Sequence, residues 1–224
     1  MNKRSNRRRG NAGKCPPGPK AMSEADMAWA LAKKAAAGVN QLRKLVNVER
    51  KFVTLENQSP TTTTSGSCNL LNGVPQGDGA ETRDGASIRF VKLQFRTTFQ
   101  LHNSATRTFV RAMLIWYREN NAGAKAVSDI LQQPTDTKSF ENENNIGKFR
   151  VLKDRHFALT DTDVSALTID WIVKSDWHST YSPASTGGAA TDMQTGSLYF
   201  VVLSSEATNA PYCYYSSKCV FIDN

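Results

Sequence analysis

From residue 48 onward the pattern of apolar residues changes from helical to extended, and this change constrains the fold more than any other feature. The clearest extended segment is SIRFVKLQFRTTFQLH, residues 87–102, in which Phe95 and Phe99 share one face and Arg96 lies on the other. Alternation of this kind predicts a half-buried β-strand.

Further segments have the same strand-like character: VERKFVTLE, RTFVRAMLIWYRE, KFRVLKDRHFALT, SALTIDWIVKSDW, GSLYFVVLSSE and CYYSSKCVFID. A short extra strand near residues 178–182 brings the predicted count to eight. The short turn at residues 102–106 predicts a hairpin between the second and third strands. The prolines that follow residue 52 all fall between these segments, where a missing N–H costs no ladder bond.

The connections alternate between tight turns and two long loops, residues 57–86 and 119–147. Loops of that length in a compact fold are usually functional. About eight antiparallel strands joined in this way predict an all-β fold, an eight-stranded antiparallel jelly-roll sandwich over residues 48–224.

A short α-helix is predicted over residues 23–47. Ser23 and Asp26 form a capping box at its start, and the helix runs from about residue 24 to 37 and resumes after Gly38 to about 46. Its apolar residues recur near helical spacing, so we expect one face to dock on protein. That face carries Ala28, Leu31, Ala35, Leu42 and Leu45.

The N-terminus is strongly basic. The first twenty residues contain seven Lys and Arg and no acidic residue. A segment so charged and so poor in apolar residues cannot build a core, so residues 1–22 are predicted to be a disordered basic arm. Residues 1–51 have a net charge of +10 and residues 52–224 a net charge of −2, which together give the +8 of the whole chain.

A cationic arm on a near-neutral body indicates a nucleic-acid partner, bound through phosphates without sequence preference. The predicted nucleic-acid-binding residues are Lys3, Arg4, Arg7, Arg8, Arg9, Lys14, Lys20, Lys33, Lys34, Arg43 and Lys44. The four helix cations also fit a solvated helix face, and their continuity with the arm favours contact. We expect the basic region to continue to Arg50 and Lys51. Residues 7–9 also fit a nuclear import signal, which makes an import receptor a second candidate partner.

Neither a membrane span nor a signal peptide is expected, because no apolar stretch is long enough and none follows the basic start. We therefore expect a soluble protein that is intracellular at synthesis. The cysteines Cys15, Cys68, Cys213 and Cys219 show no CxxC spacing, which favours ordinary reduced thiols over a zinc site or a disulfide framework.

Catalytic chemistry is not expected. Asp154 precedes His156 and Asp176 precedes His178 by two residues, but no nucleophile motif accompanies either pair, so surface histidines are the better interpretation. The loop at residues 75–85 places Asp78, Glu81 and Asp84 close together, yet their spacing is not that of an EF-hand. A structured, glycine-hinged loop is favoured over a metal site, and metal binding between subunits stays open. No catalytic residue, metal or cofactor is predicted.

Residues 71–131 carry a resemblance to a known family. They contain a glutamine–glycine loop, Arg83-Asp84-Gly85, a long strand, Arg111 within the next strand, and Asp129-Ile130-Leu131. In this order the features resemble the capsid proteins of small circular single-stranded DNA viruses that encode a replication initiator, and the satellite-virus coat proteins that share their jelly roll. The resemblance extends more loosely to two later segments, KFRVLKDRHFAL and CVFID.

The resemblance implies a shell of identical subunits, about 60 in the simplest icosahedral case, that encloses a single-stranded circular genome with the arm inside. It favours DNA over RNA, and it implies a location in the virion, with the host nucleus during assembly.

Two other functions stay open. A non-assembling nucleic-acid-binding protein, such as a nuclear shuttle or movement protein, would use the same arm without a shell. An enzyme on a jelly roll would need a clustered metal triad, which three separated histidines do not obviously make.

Overall fold

A computed structural model of the chain describes residues 23–45, 50–121 and 123–223, without the side chains of residues 40 and 42–45. The chain divides into two units, Met1–Asn47 and Val48–Asn224.

The described part of the first unit is a helix, α1, at Glu24–Leu45. The predicted capping box is confirmed at its start: the Asp26 amide donates to Ser23 Oγ at 3.2 Å, and the Ser23 amide donates to Asp26 Oδ2 at 3.3 Å. The helix runs through Gly38 without the interruption predicted there. Good helix formers on both sides offset the cost of one glycine, which is about 1 kcal/mol.

The second unit contains eight strands within its described residues. They are β1 at Arg50–Gln58, β2 at Ser67–Leu70, β3 at Ser87–Gln100, β4 at Arg107–Glu119, β5 at Phe149–Thr160, β6 at Ala166–Tyr181, β7 at Met193–Ser204 and β8 at Tyr212–Asp223. A one-turn helix, α2 at Val127–Ile130, lies between β4 and β5.

The strands form two four-stranded halves. The order β1-β8-β3-β6 makes sheet 1 and the order β2-β7-β4-β5 makes sheet 2, with every pair antiparallel. Short pairing of β6 with β7, at Thr180–Thr195 and Tyr181–Met193, joins the two sheets. This is the strand order of a jelly roll, so the predicted fold class is confirmed.

Two details of the prediction were wrong. β3 and β4 do not form a hairpin: β3 pairs with β8 and β6, whereas β4 pairs with β7 and β5. The turn after β3 carries the chain from sheet 1 to sheet 2. A turn of this length can join two paired strands in one sheet or cross between sheets, so its length does not predict which occurs. The segment at residues 178–182 is also not a separate strand, because it continues β6. The eighth strand is β2, inside the region predicted as a loop.

The main core lies between the sheets, where the inward faces of both meet. Phe95 of β3 packs against Phe200 of β7 with ring centroids 4.6 Å apart, and Phe99 packs against Phe157 of β5 at 5.0 Å. A second apolar cluster lies on the other side of sheet 2, where Ile130 next to β4 is fully buried. Sheet 2 is therefore buried on both faces there, and the outward face of sheet 1 stays open to solvent.

Candidate nucleic-acid interface

The predicted binding residues whose side chains are described are Lys33 and Lys34, and both are exposed on α1. The Lys33 ammonium lies 3.7 Å from the ring centroid of Trp29, one helical turn earlier. Trp29 is 64% exposed. Sequence reasoning missed this pair, although an aromatic residue four positions before a lysine in a predicted helix is a readable signal.

The other predicted binding residues cannot be placed in the same way. Lys3, Arg4, Arg7, Arg8, Arg9, Lys14 and Lys20 lie outside the described residues, as does the whole of the arm at residues 1–22. Arg43 and Lys44 lie in α1, but the structure does not describe their side chains. Their role in binding, and the docking of the helix face, stay predictions.

Lys51 is not available to an external phosphate, which corrects the extension of the basic region to that residue. Its side chain is 3% exposed, and its ammonium donates to both carboxylate oxygens of Asp84 at 3.0 Å and to Asp223 Oδ2 at 3.3 Å. The hydrogen bond to Asp84 raises the pKa of Lys51 above its ordinary value. Lys51 ties β1 to the loop before β3 and to the end of β8. Arg50, by contrast, is exposed.

Arg83 is an internal organiser of the loop at residues 75–85. It is 1% exposed, and its guanidinium donates to the carbonyls of Val74 at 3.1 Å, Gly85 at 2.5 Å and Ser185 at 2.7 Å. It also lies 4.2 Å from the ring centroid of Tyr181. The Arg-x-Gly motif therefore fixes two loops together and offers no free cation.

The loop at residues 75–85 is held by contacts with the rest of the protein. No group of three His, Cys, Asp or Glu side chains that could hold an ion occurs among the described residues. Asp84 is occupied by Lys51, and the loop closes on itself through the Arg83 amide, which donates to the Pro75 carbonyl at 2.9 Å. The prediction of a structured loop is confirmed.

The two acid–histidine pairs have structural partners. Asp154 receives a bidentate contact from Arg111, with Nε at 3.1 Å and Nη2 at 2.7 Å, and lies 3.5 Å from His156. Arg111 also donates to the carbonyl of Ser139 and so anchors the loop after α2. Asp176 pairs with Arg89 at 3.2 Å. Both carboxylates are thus engaged by arginines.

Three cysteines, Cys68, Cys213 and Cys219, are free thiols. Burial raises the pKa of Cys213 and of Cys219 to about 12. The thiolate is the reactive form of cysteine, so these two side chains behave as core residues rather than as nucleophiles or metal ligands.

Comparison with known proteins gives one sequence-level match. A family described as satellite tobacco necrosis virus coat protein matches residues 30–224. Comparison with curated protein sequences gave no match. No helix in the described ranges is long and apolar enough to cross a membrane.

Several solved structures share a weak likeness with the chain. The Desmodium yellow mottle tymovirus structure has a TM-score of 0.33 at 10% identity, covering 100% of this chain and 95% of that chain. The semi-empty particle of the Macrobrachium rosenbergii nodavirus has a TM-score of 0.29 at 14% identity, covering 96% and 93%. The T=3 Penaeus vannamei nodavirus has a TM-score of 0.27 at 13% identity, covering 98% and 62%. Assignment to a family rests on the sequence match.

Proposed function

We propose, because the chain belongs to the satellite tobacco necrosis virus coat protein family, that it packages a single-stranded viral genome inside the shell that it builds. As a member of that family the chain is a structural coat protein, which assembles as a homo-oligomer and is located in the virion. The family match over residues 30–224 is the observation that carries this function.

The basic arm supports the packaging step. Residues 1–51 have a net charge of +10, whereas the rest of the chain has a net charge of −2. A shell of about 60 copies would bring roughly 600 positive charges to its interior, which is the scale of a small genome with one charge per nucleotide. Contacts of this kind release counterions and do not read sequence.

The helix supplies a second element of the proposal. Lys33 and Lys34 extend the cationic segment on α1, and the exposed ring of Trp29 offers a surface on which a base can stack. The resemblance of residues 71–131 to capsid proteins of circular single-stranded DNA viruses favours DNA as the cargo. Arg7–Arg9 serve in addition as a nuclear import signal, which places assembly in the host nucleus.

Particles formed by the expressed chain test the proposal. Electron microscopy should show closed shells, and the nucleic acid extracted from them should be single-stranded and sensitive to DNase rather than RNase. Removal of residues 1–22 should leave self-association intact and lower the packaged nucleotides per subunit by more than half, because seven of the thirteen cations of residues 1–51 are lost. A chain that stays monomeric at every salt concentration and pH, with or without nucleic acid, would contradict assembly. Sensitivity to RNase would replace DNA by RNA as the cargo.

A further inference from the structure

The outward face of sheet 1 concentrates positive charge. Six cations lie on it: five, here called the basic band, are Arg50, Arg89, Lys92, Lys174 and Lys218, and the sixth is Arg96, which pairs with Asp170. The strand register brings them together from all four strands. Lys92 on β3 lies directly opposite Lys174 on β6, and Arg50 on β1 and Arg89 on β3 both pair with position 222 of β8.

The band is poorly neutralised by the protein itself. Among the described residues, Arg89 is the one member with a carboxylate partner, Asp176. Lys218 instead lies 4.1 Å from the ring centroid of Phe52. The other acidic residues of this face, Glu56 and Asp170, lie further along the sheet near Arg96. Other exposed cations of the body, such as Lys148, Arg150 and Lys153, lie on or beside sheet 2, so this face is distinguished by the arrangement of its cations and not by their number.

The Lys92–Lys174 pair argues for an external anion. Like charges directly opposite each other on neighbouring strands destabilise a sheet. Both side chains are on the outward face, where any polar residue would serve the fold equally well. The pair becomes favourable when a bound polyanion supplies the missing negative charge.

The same face also offers aromatic rings. Tyr212 and Tyr214 on β8 are 40% and 43% exposed, and they lie beside Gln100 and Thr98 of β3. Tyr214 and Tyr212 lie four and six residues along β8 from Lys218, beyond Arg96. The Tyr212 ring stacks on His102 with centroids 5.4 Å apart. Exposed rings and cations on one sheet face are the combination with which proteins bind single-stranded nucleic acid, through base stacking and phosphate contacts.

We propose that the outward face of sheet 1 is a second binding surface for the packaged single-stranded nucleic acid. The basic band binds phosphates, and Tyr212 and Tyr214 stack on bases. This inference rests on the proposed packaging function and adds a site on the folded body to the basic arm.

Replacement of the central lysine pair tests the surface. The full-length Lys92→Gln/Lys174→Gln variant is compared with wild type for binding of a short single-stranded oligothymidylate, by fluorescence anisotropy over a range of salt concentrations. Loss of two phosphate contacts should lower the slope of log K against log salt by about 1.4 and weaken binding about 25-fold at 0.1 M salt. Both proteins carry the same basic arm, so the contribution of the arm to binding cancels in the comparison.

Two controls separate charge at this face from charge in general. Lys138→Gln/Lys148→Gln removes two exposed lysines from the loop outside sheet 2 and should leave the slope unchanged. Lys92→Arg/Lys174→Arg keeps the charge and should retain wild-type binding. Tyr214→Thr should weaken binding without a change of slope, because stacking releases no counterions.

Three results would overturn the inference. The first is a Lys92→Gln/Lys174→Gln slope equal to that of wild type. The second is a lower melting temperature of that variant, since removal of like-charge repulsion should hold or raise it. The third is a folded variant that no longer self-associates in the absence of nucleic acid, which would identify the face as a contact between copies of the chain. Wild-type particles free of nucleic acid would instead defeat the packaging function itself.

Discussion

At the scale of single residues, buried cations stabilise the fold by donating hydrogen bonds to groups that would otherwise lack a partner. Arg83 is fully enclosed and satisfies backbone carbonyls from two loops, Val74 and Gly85 on one side and Ser185 on the other. A buried carbonyl left without a donor costs about 1–3 kcal/mol, so one guanidinium in this position holds several such groups together.

Arg83→Met should therefore lower the free energy of unfolding by roughly 2–4 kcal/mol, because the methionine fills much of the space but donates no hydrogen bond. Urea denaturation measures the effect. The matched control is Arg96→Met, which removes an arginine that is 79% exposed and paired with Asp170 at 3.5 Å. That control should change stability by no more than about 0.5 kcal/mol. Equal losses in the two variants would contradict the structural role of Arg83.

The buried thiols and phenols make the body sensitive to alkali. Burial raises the pKa of Cys213, Cys219 and Tyr215 to about 12, from ordinary values of 9.0 for the thiols and 10.0 for the phenol. The folded state keeps these protons at a pH where the unfolded chain loses them. Their stabilising effect is thus complete below pH 9 and is lost as the pH rises toward 12.

We expect the free energy of unfolding to fall between pH 9 and pH 12, by about 1.4 kcal/mol per pH unit for each group that ionises only on unfolding. Denaturant titrations at a series of pH values measure it. Cys219→Ala removes one of these ionising groups, so the free energy of unfolding of this variant should fall less steeply with pH. A stability that is constant up to pH 12 would contradict burial of these groups.

At the scale of elements, the junction between β6 and β7 sets how the two sheets meet. Gly196 has a φ of 73°, and a Cβ there would collide with the His178 carbonyl and come within 2.9 Å of the Cα of Ser179. The Gly196 carbonyl also accepts a hydrogen bond from Asn72 Nδ2 at 2.9 Å. Close backbone approach at this point requires glycine.

Gly196→Ala should destabilise the body by at least about 2 kcal/mol, through both backbone strain and the collision with β6. The thermal midpoint of unfolding measures it. Gly147→Ala is the matched control, because a Cβ at Gly147 meets no atom within 4 Å. A neutral Gly196→Ala would show that β6 and β7 can separate here without cost.

At the scale of the whole molecule, charge is divided between segments with different tasks. The N-terminal residues carry the excess cations, and the body is close to neutral. Within the body, the basic band gathers cations on sheet 1. This division suits a wall-forming domain that must also hold a polyanion.

The packaged amount should follow the arm charge. Changing Arg7, Arg8 and Arg9 to Gln removes three of the net ten positive charges of residues 1–51 and should lower the nucleotides packaged per subunit by roughly a third. The ratio of nucleotide to protein in purified particles measures it. Replacing Lys138, Lys148 and Arg155, which are exposed outside sheet 1, removes the same charge and should leave the ratio unchanged. An unaltered ratio in the arm variant would contradict charge-driven packaging.

Much of the fold could be predicted from local patterns. Alternation placed β3 within two residues of its observed end, and Ser23 and Asp26 marked the start of α1. β2 was missed because four half-buried residues in a Thr- and Ser-rich loop show no clear alternation. Lys51 was misassigned because the sequence does not show whether a lysine is solvated or forms an ion pair inside the fold.

The sequence by itself determined the all-β class, the helix start and the uneven distribution of charge along the chain, since each depends on neighbours within a few positions. Only the tertiary structure decided which strands pair, that Lys51 and Arg83 are internal, and that Lys92 lies opposite Lys174. These outcomes depend on contacts between residues far apart in the chain, and such contacts leave no local periodicity to read.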